Sequence, residues 1–373
     1  MFKRITSFIL AAVIAGGMFG ADIQAFDVSA QSAILIEETT GKVLFERNAD
    51  ARRPMASITK IMTAVVALEN SNLTDKVQVS PKAVAVEGSK MYLKAGETVT
   101  MEELLYGLML ASGNDAANAI AEHVAGDNEN FVKLMNAKAH ELHLANTSFE
   151  TPSGLDGDDH YTSARDFANL TAEALKNRDF ATIVSTKSKR FSNDEGVRLI
   201  VNHNRLLSIY KYAVGVKTGF TKKSGRCLVS AAEKDGVTLI AVTLNAPDDW
   251  DDHSKLLDYG FSCVHKITPA DDSDRYDLHV VNSPVSSISV SPKPDRSIML
   301  FGEDESKLTK SVELEHFVYA PVKRGDIVGR ISYYQNGDCV GSIPLVSNED
   351  APMLESKRKN SFFSWISHIF FGK

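Results

Sequence analysis

A serine followed three positions later by a lysine occurs at Ser57–Lys60, Ser208–Lys211 and Ser356–Lys359. At the start of a helix two such side chains project from one face, so the lysine amine can reach the serine hydroxyl and take its proton. Lysine is a poor base until its pKa falls. Burial beside an apolar helix, the positive end of the helix dipole and a second cation from Lys217 would each lower it at Lys60. The helix start also offers the Ser57 backbone N–H to a developing oxyanion. The spacing alone is weak, since two of its three occurrences have no company. Ser57 differs because Ser112-Gly113-Asn114 and then Lys217-Thr218-Gly219 follow it in that order, the latter once in the chain. Taken singly, these segments read as a helix cap, a helix break and a strand end. Together they read as a nucleophilic serine site.

The elements that must position these residues are legible around them. AILIEETTGKVLFE alternates apolar and polar residues about Thr40-Gly41, which predicts a hairpin opening a sheet. Ser57 then begins a helix apolar on most faces, and helical periodicity returns at 101–110, 115–124, 129–144 and 164–176. YAVGVKTGF and RCLVSAAEKDGVTLIAVTL read as later strands, with Lys234-Asp235-Gly236 as a hairpin turn. Strands, helices and strands again predict an α/β sandwich in which the first hairpin joins the later strands in one antiparallel sheet. HKITPADDSD reads as a linker, and residues 275–347 as a small all-β domain with no convincing amphipathic helix.

The two ends suggest a compartment. Lys3 and Arg4 precede the apolar run 5–18, with small residues at Gly20, Ala21 and Ala25, as in a secretory signal peptide; cleavage after Ala25 is the preferred reading, with Ala21 and Ala30 as alternative sites. In the tail, Phe362, Trp365, Ile366, Ile369 and Phe370 recur at helical spacing, flanked by Lys357, Arg358, Lys359 and Lys373. About eleven such residues cannot span a bilayer but can lie in its interface. The expected organisation is residues 1–25 signal peptide, 26–265 catalytic domain, 272–350 β-rich domain and 356–373 membrane-anchor helix.

A length of 373 residues fits about two domains. The net charge of −7, with no dense basic stripe before the tail, argues against nucleic acid as a partner. Cys227, Cys263 and Cys339 lack metal-ligand spacing and read first as buried free thiols, with a single Cys263–Cys339 bridge or a redox role as the alternatives. The ten histidines form no HExxH pattern, so neither metal nor cofactor is expected.

MASITKIMTA, YGLMLASGNDAANAIA and GVKTGFT closely resemble the low-molecular-mass penicillin-binding proteins that act as D-alanyl-D-alanine carboxypeptidases. APVKRGDIVGRISYYQNGDCVGSIPLV resembles that family's β-rich domain, and the tail its membrane anchor. The resemblance implies a penicillin-recognising, β-lactamase-like transpeptidase fold. It also implies an exported enzyme on the outer face of the cytoplasmic membrane, which trims peptidoglycan stem peptides and is covalently inhibited by β-lactam antibiotics. By position it makes Ser57 the nucleophile, Lys60 its base and Ser112 a proton relay. Asn114 would bind the peptide amide, Lys217 and Thr218 the terminal carboxylate, Gly219 would let the peptide pair as an added strand, and Phe220 N–H would complete the oxyanion hole. Arg226 and Thr151-Pro152-Ser153-Gly154-Leu155 depart from the family pattern. A class A β-lactamase would need Glu-x-x-Leu-Asn, and the nearest text, from Glu141 to Asn146, is one residue too long. An endopeptidase has the same catalytic set, and a silent envelope-binding module would not need it intact.

Overall fold

The computed structural model describes residues 27–354 apart from 194–195, 270–273, 295 and 303–304. SAILIE is buried at all six positions and forms an interior strand, β1 (Ser32–Glu37), from which Gly41 at φ 69° turns the chain into β2 (Val43–Arg47). A 3-10 turn, Ala56–Thr59, runs into α1 (Lys60–Asn70), whose residues from Lys60 to Ala67 are all buried. Strands β3 (Lys76–Gln78) and β4 (Thr98–Thr100) pair and pinch off a loop containing the short α2 (Pro81–Val84). The helical block continues with α3 (Met101–Met109), α4 (Asn114–Ala125), α5 (Asn128–Glu141), α6 (Ala164–Leu175) and α7 (Arg178–Ser185). Side chains of Thr100, Asp127, Ser163 and Asn177 accept first-turn amides of α3, α5, α6 and α7, which fixes where those helices start.

After a hairpin of β5 (Ser188–Asn193) and β6 (Gly196–Val201) and the short α8 (Leu206–Ile209), the chain returns to the sheet. It enters as β7 (Ala213–Thr221), β8 (Gly225–Lys234) and β9 (Val237–Leu244). The order is β2-β1-β9-β8-β7, antiparallel throughout, so the first hairpin lies beside the last strand as expected. Alternation splits the sheet between two cores. Ile34, Ile36, Val229 and Ile240 face the helical block, whereas Ala33, Leu35, Leu239 and Ala241 face Leu256 and Leu257 of α9 (Asp249–Cys263). The periodicity did not point to α9: its first turn holds Asp249, Asp251 and Asp252, and its buried face is eked out with His253 and Gly260.

The chain then passes directly into β10 (Val264–Ile267), which pairs with β13 (Ile298–Phe301). The expected linker is therefore corrected at its start, because His265–Ile267 belong to a strand that needs a partner for its backbone groups. The remaining strands, β11 (Tyr276–Val281), β12 (Ser287–Pro292), β14 (Leu308–Leu314), β15 (Phe317–Tyr319), β16 (Ile327–Gln335) and β17 (Asp338–Ser347), form a sheet ordered β14-β16-β17-β12-β11-β15. Its core includes Leu278, Val290, Ile331, Ile343 and Leu345. Lys42, from the β1–β2 turn, ion-pairs with Asp338 and lies 5.5 Å from the Phe301 ring centre, joining the two parts. The cysteines are free, but only Cys227 is buried; Cys263 is half-buried and Cys339 exposed, on a strand whose other face fills the core. The expected signal peptide and anchor helix lie outside the described residues. No described helix is long and apolar enough to cross a membrane.

Candidate active site

Ser57 sits in the 3-10 turn immediately before α1. Ala56, just before it, has φ 49°, a left-handed conformation that costs a residue with a β-carbon roughly 1–2 kcal/mol. Neighbouring groups hold it there. Thr59 Oγ1 donates to Ala56 O at 2.7 Å and lies 2.8 Å from His160 Nε2. Glu150 N–H donates to His160 Nδ1 at 2.9 Å, which assigns the ring proton to Nε2 and makes it the donor to Thr59. Burial, with Lys60 and Lys223 nearby, lowers the His160 pKa to about 4, so this ring is neutral near pH 7. Gly154, at φ 85°, packs against the same carbonyl so closely that a β-carbon would lie 2.1 Å from Ala56 O.

Lys60, fully buried, brings three segments together. Its Nζ lies 3.0 Å from Ser57 Oγ, donates to Asn114 Oδ1 at 2.7 Å and donates to the Ser153 carbonyl. A neutral amine keeps the two outward donations and turns its lone pair to the Ser57 hydroxyl, the arrangement a general base requires. Burial holds the Lys60 pKa well below the usual lysine value, the charge of Lys217 lowers it further, and Asp115 opposes them. Lys217 is itself buried, which brings its pKa to about 7, and its Nζ donates to Thr218 O at 2.9 Å.

Asn114 opens α4 and is fixed by three hydrogen bonds. Its N–H donates to Ser89 O at 2.8 Å, its Nδ2 to Glu87 O at 2.7 Å, and its Oδ1 accepts from Lys60. Ser112, at φ 58°, ends the preceding turn and faces the same cleft as Ser57. That cleft encloses about 440 Å³ and is lined by Ser57, Ser112, Thr218, Gly219 and Phe220, with His203, Arg205, Arg226 and Trp250 further along. Lys60, Asn114 and Lys217 are buried behind it. Gly219 backs onto the Ser57 turn: a β-carbon there would lie 3.0 Å from Ser57 N and 3.1 Å from Ile58 N. Phe220, the next residue, is 65% exposed.

All eight residues expected from the sequence thus lie in or directly behind one cleft. The sequence did not point to Ser153, which acts through its carbonyl, nor to Thr59, His160 and Asp115, whose roles depend on folded contacts. Arg226 is held by Asp249, with Nε 3.0 Å from Oδ1, and lies 5.8 Å from the Trp250 ring centre. Among the described residues, no three His, Cys, Asp or Glu side chains are grouped to hold a metal ion.

A serine–lysine pair at a helix start, edged by a Lys-Thr-Gly strand of an antiparallel sheet, defines a penicillin-recognising serine acyltransferase. The chain belongs to the D-alanyl-D-alanine carboxypeptidase family, whose model matches residues 20–248, while the C-terminal domain of penicillin-binding protein 5 matches residues 265–352. Its activity is that of a serine-type D-alanyl-D-alanine carboxypeptidase. Among relatives, D-alanyl-D-alanine carboxypeptidase DacF of Bacillus subtilis is 34% identical, with 86% of this chain and 85% of that protein covered. DacC of Escherichia coli is also 34% identical, over 92% of this chain and 88% of that one. Penicillin-binding protein 5 of Haemophilus influenzae superposes with a TM-score of 0.68 at 29% identity, covering 88% of this chain and 99% of that one.

Proposed function

We propose that the chain removes the terminal D-alanine from peptidoglycan stem peptides through an acyl-enzyme on Ser57. The observation that carries this reading is the Lys60 amine, fully buried, lowered in pKa and 3.0 Å from Ser57 Oγ. Lys60 takes the Ser57 proton as Oγ attacks the penultimate carbonyl. Ser57 N–H and Phe220 N–H stabilise the oxyanion, and the close approach of Gly219 to Ser57 supports that pairing. Ser112 passes a proton to the departing D-alanine amine, and water then hydrolyses the ester. Asn114 orients Lys60 and binds the peptide amide. Thr218 receives the terminal carboxylate at the cleft wall, while Lys217 lends its charge from behind. The strand edge at Gly219 supports pairing of the peptide as an added strand.

The same acyl step accounts for covalent capture by β-lactam antibiotics, whose strained amide reacts as the peptide does. The aromatic and basic tail of residues 356–373 supports peripheral attachment at the outer face of the cytoplasmic membrane after export.

Incubation with a pentapeptide ending in D-Ala-D-Ala should release one alanine per peptide, read by mass spectrometry, and fluorescent penicillin should label the folded protein. Ser57→Ala should lose both. A labelled Ser57→Ala band would remove Ser57 as nucleophile, and conversion of cross-linked dimers to monomers without alanine release would replace the carboxypeptidase reading with an endopeptidase.

A further inference from the structure

Tyr92 has two features that seldom coincide. Its backbone is left-handed, at φ 63°, where a bulky side chain is strained, and its side chain is 81% exposed, the largest value among the exposed large hydrophobic residues described. Nothing in the apolar core requires it there. The strain is imposed by a buried carboxylate: Asp115 Oδ1 accepts from Met91 N–H and Oδ2 from Leu93 N–H, each at 3.0 Å, gripping the chain on both sides of Tyr92. Met91 and Leu93 are buried as the two feet of this arch, and Tyr92 stands on top.

The arch stands beside the catalytic cleft without lining it. Asp115 follows Asn114 in the first turn of α4, Ser89 lines the cleft three residues before Tyr92, and Gly113 packs against Met91 N. Persistent strain beside a reaction site implies a use, because a glycine or asparagine would relax it at no cost to the core.

We propose that Tyr92 is a specificity-determining platform for the glycan-bearing end of the substrate. This rests on the carboxypeptidase reading above. An extended stem, at about 3.3–3.6 Å per residue, sets its sugar on the order of 13 Å from the bond broken, hence at the rim of a cleft and not on its floor. An exposed aromatic ring, apolar on its face and polar at its hydroxyl, suits the C–H face and hydroxyls of a pyranose. Asp115 fixes the backbone on both sides of Tyr92, so on binding only the side-chain torsions of the exposed ring have to be ordered.

The full chain and its Tyr92→Gly and Tyr92→Phe variants would be compared on an N-acetylated tripeptide ending in D-Ala-D-Ala and on a disaccharide pentapeptide. Tyr92→Gly should raise KM for the disaccharide substrate by about three- to tenfold, the scale of one aromatic contact, with kcat nearly unchanged. Tripeptide turnover and penicillin labelling should stay at the level of the unsubstituted chain, Tyr92→Phe should keep most of the disaccharide affinity, and Tyr92→Gly should melt no lower. An unchanged disaccharide KM, or equal losses on both substrates, would overturn the proposal. Failure of the unsubstituted chain to hydrolyse either substrate would instead strike the carboxypeptidase reading on which it rests.

Discussion

Lys60 and Lys217 occupy one buried site, and each is displaced towards its neutral form, chiefly by burial. For Lys217 the displacement runs from 10.5 to about 7. Between those values the unfolded chain holds a proton that the folded chain has released, so stability rises with pH across that window. The penalty is fully present below about pH 7 and is gone above the unfolded value. Lys217→Met should therefore raise Tm by several degrees at pH 6–7, with the advantage shrinking towards pH 10, while penicillin labelling falls by orders of magnitude. Thermal melts over that range would check it. A pH-independent difference would mean that packing, not charge, separates the two proteins. The site keeps a cation where a methionine would be the more stable residue, as expected where chemistry outweighs stability.

At the scale of elements, the active site is a junction of three chain segments against the 3-10 turn. α4 brings Asn114, the loop at residues 151–155 brings the Ser153 carbonyl, and β7 brings Gly219. Gly154 is the tightest joint. Gly154→Ala would place a β-carbon on Ala56 O and require a left-handed alanine, so a loss of roughly 2–4 kcal/mol and at least tenfold slower acylation are expected. Stopped-flow penicillin acylation alongside thermal melts would test this; full acylation with native stability would show that the loop can retreat. The same joint marks the limit of legibility. Ser57, Lys60, Asn114 and Lys217 could be read because side-chain chemistry at fixed spacing is written in residue types. Ser153 could not, since any residue carries a carbonyl. His160 and Thr59 lie 101 positions apart and meet only in the fold. The interior strands were legible from their apolar runs, whereas α9 was not, because acidic residues crowd its first turn and half of its buried positions, Asp249, Asp252 and His253, are polar.

At the scale of the whole molecule, the helical core and the β-rich core are joined through a middle one, where Met299 and Phe301 of β13 pack with Leu256 and Leu257 of α9, with Lys42–Asp338 as a lateral brace. The described chain ends just past Ala351, which pairs with Val322 in the β-rich domain. The tail therefore leaves from the β-rich domain and not from the catalytic one. Deleting residues 356–373 should release the protein from anionic vesicles while leaving penicillin labelling and alanine release within about twofold, because the catalytic cleft has no part in that domain. Vesicle sedimentation with parallel activity assays would show it. Binding that survives the deletion would assign attachment elsewhere.

The sheet order β2-β1-β9-β8-β7 has a further consequence, for the order of events during synthesis. β1 is made among the first described residues, yet its partner on the β9 side is complete only at Leu244. Until then the hairpin of β1 and β2 has an open edge and the Ser57 turn has no Gly219 beside it. Loops of that length close slowly, and the long-range pairing that closes them comes late. The Ser57 site therefore cannot be complete before the last strand of the sheet, and about half of the chain, from Ser57 to Leu244, is made while Ser57 stands without the strands that complete its cleft.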